Sequence, residues 1–277
     1  MGNLVHAELH KALQHRWTMG TLLVLCVLCP LLVVFNFWWA FRHGTSVENS
    51  EAMDTALFAL CQGMGVGPFL ALPVASVVFD DQYRYSTLKN EAVFGIRRWE
   101  SYLSRVLAGA VLGLGLAVIA VVSYVGMAAL LLPGRVYMPE LMWKYGPTLL
   151  AAIPMWLCSG VIALSMLFFF RNSGLASVLY VLFFTVGFFG MGLMAVLADY
   201  YEGIVARVIG VACTVHPFNV LWAIMYQTDA FGTSISWNLI FGSQAWNWLG
   251  ASWLIGIGWI AASAALALVA LYRREFR

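Results

Sequence analysis

Long apolar runs separated by short polar gaps dominate this chain. Stretches near 19–41, 55–79, 106–132, 147–170, 175–198 and 247–272 carry few or no charged residues. A helix needs about 20 apolar residues to cross the hydrocarbon core of a bilayer. Each run therefore predicts a membrane-spanning helix, the third starting near Tyr102 and covering 102–132. Ahead of the first run, Val5, Leu9, Ala12 and Leu13 recur at helical spacing, while His6, His10, Lys11 and Gln14 fall elsewhere. That pattern predicts an amphipathic helix within 1–18, lying on the inner leaflet with Trp17 at the interface. Between Asp199 and Trp246 the apolar pieces are too short to span and alternate with polar turns. They predict short helices on, or dipping into, the outer face. The expected fold class is an all-α integral membrane protein. It is a single domain, 1–277, with six transmembrane helices, an interfacial N-terminal helix and short outer helices between spans five and six.

Individual runs carry further signals. The first contains Pro30 and ends in Trp38-Trp39, an outer aromatic anchor. The second contains Gly63, Gly65, Gly67, Pro68 and Pro73, a weak helix that serves either close packing or bending. Gln62 is its only strongly polar side chain in mid-run and needs a partner or a cavity. The fourth run begins near Pro147, and the short turn Arg171–Gly174 makes spans four and five a hairpin. His216, before Pro217, reads as a turn residue or as a site. Cys26, Cys29, Cys61, Cys158 and Cys213 all lie in apolar surroundings and read as packing residues.

Charge orients the chain. Only 10% of residues are charged and 62% are apolar, which leaves little for a soluble domain. Alternate gaps hold Lys11, Arg16, Arg84, Lys89, Arg97, Arg98, Arg105, Arg171, Arg273, Arg274 and Arg277. The others hold only Arg42, Arg135, Lys144 and Arg207. Positive residues stay on the cytoplasmic side, so both termini are expected there, in a bacterial inner membrane. The basic face suits anionic lipid headgroups. It forms no extended patch for nucleic acid. The chain has no G-x-x-x-x-G-K-[ST] loop to cradle ATP phosphates, no H-E-x-x-H and no G-x-S-x-G. It is read as no enzyme, with no catalytic residues, no metal and no cofactor of its own.

The stretch after span two, FDDQYRYSTLKNEAVFGIRRWESYLSR, mixes aromatic, basic and acidic residues. Arg and Tyr are favoured at protein interfaces; a solvated loop is the other reading. Gln82-Tyr83-Arg84-Tyr85-Ser86-Thr87-Leu88-Lys89-Asn90, followed by Gly95-Ile96-Arg97-Arg98, resembles the E-Y-x-x-G-T-x-K-N and G-x-x-R pattern of permease subunits of type-2 ATP-binding cassette exporters. Gln82 and Ser86 depart from it, where the family often has Glu and Gly. The order of interfacial helix, six spans, interrupted outer segment and basic tail is similar too.

The resemblance implies a cytoplasmic coupling helix between spans two and three. Gln82, Tyr83, Arg84, Tyr85, Thr87, Lys89, Asn90, Arg97 and Arg98 would dock a cytoplasmic ABC ATPase, which alone binds ATP and Mg. It implies a second permease copy, identical or related, and a pathway at the seam of spans one, two and five. Phe35, Phe37, Gln62, Met64, Phe183, Phe184, Phe188, Met191 and Met194 would line it. The small size leans towards antimicrobial or other amphipathic peptides as cargo, with drugs, polysaccharides and ions as alternatives. An ion-coupled secondary transporter and an intramembrane enzyme are rivals of other classes. Few charges fall within the spans for ion coupling, and no catalytic motif supports the enzyme.

Overall fold

The structure is a computed structural model and describes residues 1–43, 49–79, 93–170, 172–200, 215–226 and 248–273, with isolated positions between 204 and 212. For 188–200 it describes the backbone alone. The described residues are helical, with no strand among them. In chain order the helices are α1 (Gly2–Gln14), α2 (Arg16–His43), α3 (Asn49–Gly63), α4 (Gly67–Phe79), α5 (Arg98–Leu131), α6 (Met138–Phe169), α7 (Ser173–Tyr200), α8 (Pro217–Tyr226) and α9 (Trp248–Arg273). Five segments are long and apolar enough to cross a membrane: Thr18–His43, Glu51–Phe79, Arg98–Leu131, Met138–Phe169 and Gly250–Arg273. The chain is thus a multi-pass membrane protein. The expected fifth span falls on α7, described with its side chains only through Gly187.

The helices pack around α6. In its most apolar window 61% of the residues are buried, against 17–28% for the other four spans. The cause is composition. Ala151, Ala152, Ser159, Ala163 and Ser165 are small and buried, so neighbouring backbones approach closely. A helix apolar on all sides belongs inside a bundle. α4, α5, α7, α8 and α9 pack on it, and α2 packs outside, against α5. The other spans turn Leu28, Leu32, Val118, Val122, Leu254 and Leu266 outward, as a lipid-facing surface requires.

Two boundaries differ from expectation. The fourth span starts at Met138, so Pro147 lies inside the helix. Pro139 stands in the first turn, where no backbone donor is needed. The added turns are held by Asp54 of α3, which accepts hydrogen bonds from Lys144 Nζ at 2.8 Å and Tyr145 Oη at 3.0 Å. Arg105, expected in a gap, sits inside α5 and is 1% exposed. The N-terminal helix forms as expected: Ala12 is buried, Val5, Glu8 and Leu9 are half-buried, and of the apolar stripe Leu13 stays 57% exposed.

At the end of the bundle that carries α1, here the basic end, Gly95 turns the chain into α5 with a φ of 80°. Glu100 accepts the Arg97 backbone N–H there, one turn back. Arg98 Nη1 donates to the carbonyls of Leu271 (2.8 Å) and Tyr272 (3.2 Å), capping the last turn of α9.

Replacing Ala163 by Leu should overpack the centre and cost about 1–3 kcal/mol. Leu266→Ala, on the outward face of α9, should lie within about 0.5 kcal/mol of the parent. Thermal unfolding in detergent checks both.

Candidate functional site at the break in the second span

The second span changes its hydrogen bonding halfway. α3 ends at Gly63, Met64–Val66 form a 3-10 turn, and α4 restarts at Gly67-Pro68. A 3-10 stretch in mid-helix marks a hinge or strain. The chemistry follows from Pro68, which has no N–H to offer the carbonyl four residues back, that of Met64. The Gly67 N–H, three residues on, takes that carbonyl instead and closes the 3-10 turn, and a side chain adds a second donor. Trp156 of α6 donates its indole Nε1–H to the Met64 carbonyl at 3.1 Å. Tyr180 of α7 donates its hydroxyl to the Pro68 carbonyl at 2.6 Å. Upstream, Tyr124 of α5 donates to the Ala56 carbonyl at 2.7 Å. Three neighbouring helices thus brace the broken one. Gly67 is required where it stands, because a Cβ there would overlap the Trp156 ring.

α8 is seated against this break. At ten residues it is about 15 Å long and too short to cross a membrane. Phe218, Val220, Leu221, Ala223, Ile224 and Met225 are all buried. The short helix is inserted into the bundle, and the Met225 side chain reaches the 3-10 turn beside Gly65. At its other end, Trp259 of α9 donates to the Val215 carbonyl at 2.7 Å. Pro217 opens the helix, and His216 Nδ1 accepts the Phe218 N–H at 3.3 Å.

The His216 ring sits in a notch at Gly187, where any Cβ would collide with it. Phe183 (4.6 Å between ring centroids) and Phe184 (6.2 Å) flank it, and Phe183 also meets Trp259 at 5.6 Å. Burial among these apolar rings lowers the His216 pKa from 6.5 to about 4, partly opposed by the backbone at Phe183. With Nδ1 accepting, the neutral ring carries its proton on Nε2. That nitrogen has no hydrogen-bond partner among the described residues.

The residues expected along a pathway divide. Met64 is buried within the break, Phe184 is buried beside it, and Phe183 lies against His216. Gln62 is half-buried one turn before Val66. Phe35 and Phe37 lie on α2, the first span, the former exposed and the latter half-buried. The side chains of Phe188, Met191 and Met194 lie outside the described residues, as do Gln82, Tyr83, Arg84, Tyr85, Thr87, Lys89 and Asn90. Of the expected docking arginines, Arg97 is exposed and Arg98 is engaged on α9.

Sequence reasoning missed the braces Trp156, Tyr180 and Trp259. A proline in mid-span signals a change of backbone hydrogen bonding there, but nothing along the chain says which side chain joins it. The arrangement can bend, and it joins the outer segment to the second span through apolar and aromatic contacts. Among the described residues no group of His, Cys, Asp or Glu could hold a metal ion. No protein-family model matches this chain, and no curated protein does.

Trp156→Phe should cost about 1 kcal/mol and speed amide exchange around 64–68, read by hydrogen–deuterium exchange. His216 gives a pH signature. Its folded pKa lies below its unfolded value, so the folded state resists protonation. Stability should be complete above about pH 6.5 and decline towards pH 4, by up to about 3 kcal/mol. His216→Phe should flatten that part of the profile, measured by thermal unfolding at stepped pH.

Proposed function

We propose that the chain is the membrane permease subunit of an ATP-driven exporter of the type-2 ABC class, moving amphipathic or antimicrobial peptides out of the cell or out of the membrane. The observation that carries this reading is the second span. It is broken at Met64–Val66 and braced by α6, α7 and the inserted α8, next to the segment that resembles the coupling helix of such permeases. Discontinuous helices in transporters lie where substrate passes and where the protein moves.

In this reading a separate cytoplasmic ATPase binds ATP and Mg and closes on the segment 80–101. Movement of that segment acts on α4 directly and on α5 through Gly95-Ile96-Arg97. The hinge at 63–67 lets α4 tilt while α3 stays anchored through Asp54 to α6. Val93 and Phe94, each 83% exposed, and Arg97 form the accessible part of the docking surface. Arg98 passes the same motion to α9 through the Leu271 and Tyr272 carbonyls. Two copies, or this chain and a related one, enclose the pathway, with both termini in the cytoplasm.

An ion-coupled transporter would place ionisable groups at mid-span. The buried ion pair among the described residues, Glu8–Arg105, lies instead at the basic end.

Purification from native membranes should bring down a cassette ATPase with the chain. Arg97→Glu, or Tyr83→Ala with Tyr85→Ala, should reduce its recovery at least tenfold. The isolated chain should bind no ATP by calorimetry. Micromolar nucleotide affinity in that chain, or transport by it alone in proteoliposomes under an ion gradient, would overturn the reading.

A further inference from the structure

The outward face of the second span holds a side chain that hydrocarbon does not suit. Thr55, Phe58, Ala59, Gln62, Gly63 and Val66 recur at helical spacing along α3 and into the 3-10 turn. Each is exposed or half-buried, so together they form one open stripe. Gln62 lies near the middle of the span Glu51–Phe79. Its carboxamide makes no hydrogen bond to another described residue. A polar side chain at that depth is costly unless a partner or water meets it. By contrast, α5 turns Val111, Val118 and Val122 outward, and α9 turns Leu254, Ile257 and Leu266 outward. Asn36 of α2 is also exposed, but it sits beside the interfacial Trp38 and Trp39 and donates to the Leu32 carbonyl at 2.8 Å.

The chemistry of the stripe selects what covers it. Phe58, 36% exposed, and Val66, 55% exposed, flank Gln62, so its surroundings are apolar rather than a wall for water. Lipid tails offer the carboxamide neither donor nor acceptor. Ala59 and Gly63 stand four residues apart, and a Cβ built at Gly63 would meet nothing within 4 Å. Small residues at that spacing let another helix bring its backbone close. A carboxamide both donates and accepts, so it is complementary to a copy of itself. Two copies related by a two-fold axis along the membrane normal hold their Gln62 side chains at one depth.

We propose that the Thr55–Val66 stripe is the contact between two copies of this chain, and that their Gln62 carboxamides hydrogen-bond to each other across the two-fold axis. Gln62 lies two residues before the Met64–Val66 turn, so the pairing holds the two hinges side by side. Each α4 then moves against a fixed crossing point. The pairing rests on the two-copy assembly proposed above, not on the ATPase or the cargo. It moves Gln62 from the expected pathway wall to the seam between copies.

The test is Förster transfer between donor- and acceptor-labelled copies of the full chain in liposomes, followed as the lipid-to-protein ratio rises. The label replaces Ser173, which is exposed, after the native cysteines are exchanged for Ala or Ser. The parent should associate reversibly. Gln62→Leu should raise the apparent dissociation constant about tenfold, because two interhelical hydrogen bonds are lost, with helix content unchanged. Gln62→Asn should restore most of the association, and Leu266→Ala, on the lipid-facing side of α9, should leave it as in the parent. An unchanged constant in Gln62→Leu would overturn the pairing and leave the two-copy assembly standing. Fast modification of Gln62→Cys by a charged, membrane-impermeant thiol reagent in the associated form would also overturn it, by placing that position in water. A parent that stays monomeric at every dilution would overturn the pairing too, while recovery of the ATPase judges the permease reading separately.

Discussion

A backbone carbonyl inside a membrane bundle has no water to turn to, and that constraint governs the centre of this protein. Pro68 removes the donor that a continuous helix would have offered Met64. The Gly67 N–H takes its place in a 3-10 turn, an indole from α6 adds a second donor, a phenol from α7 secures the next turn, and α8 lies across the break. The break in the second span therefore survives because three other helices are arranged to tolerate it. In turn those helices are fixed by it: Trp156 and Tyr180 can reach their carbonyls only if α6 and α7 stand where they do.

The same economy explains α6. A helix lined with alanine and serine contributes little apolar area per residue, yet it lets six neighbouring helices come close. In lipid, where apolar burial drives association weakly, close contact and a few hydrogen bonds do most of the ordering. The cross-links observed are of this kind: Tyr102 with Ser165, Tyr124 with Ala56, Lys144 and Tyr145 with Asp54, Trp259 with Val215. Each ties a helix to a neighbour at a different height. Together they leave the Met64–Val66 turn as the interruption of regular helix within the second span.

Much of this architecture was legible beforehand. Runs of uncharged residues located five spans, because hydrocarbon admits few charges. Glycine and proline in the second run marked the weak helix, and the apolar piece 220–226 was expected as a short helix on, or dipping into, the outer face; its burial within the bundle was not legible. The start of the fourth span was not legible. Pro147 looks like a first residue, but Asp54, 91 positions away from Tyr145, stabilises the preceding turns. Arg98 was read as a docking residue, and its capping of α9 was not legible, since its acceptors lie 173 and 174 residues further on.

By itself the sequence determined that this chain crosses a membrane repeatedly, roughly where five of the crossings fall, and which crossing would be weak, since those properties depend on local composition and the thickness of hydrocarbon. Tertiary structure decided which side chains satisfy the weak crossing, which face of α1 docks, and that Arg105 is buried with Glu8. These depend on partners far apart in the chain, and no spacing along it records which indole, phenol or carboxylate folding will bring to a given carbonyl or cation.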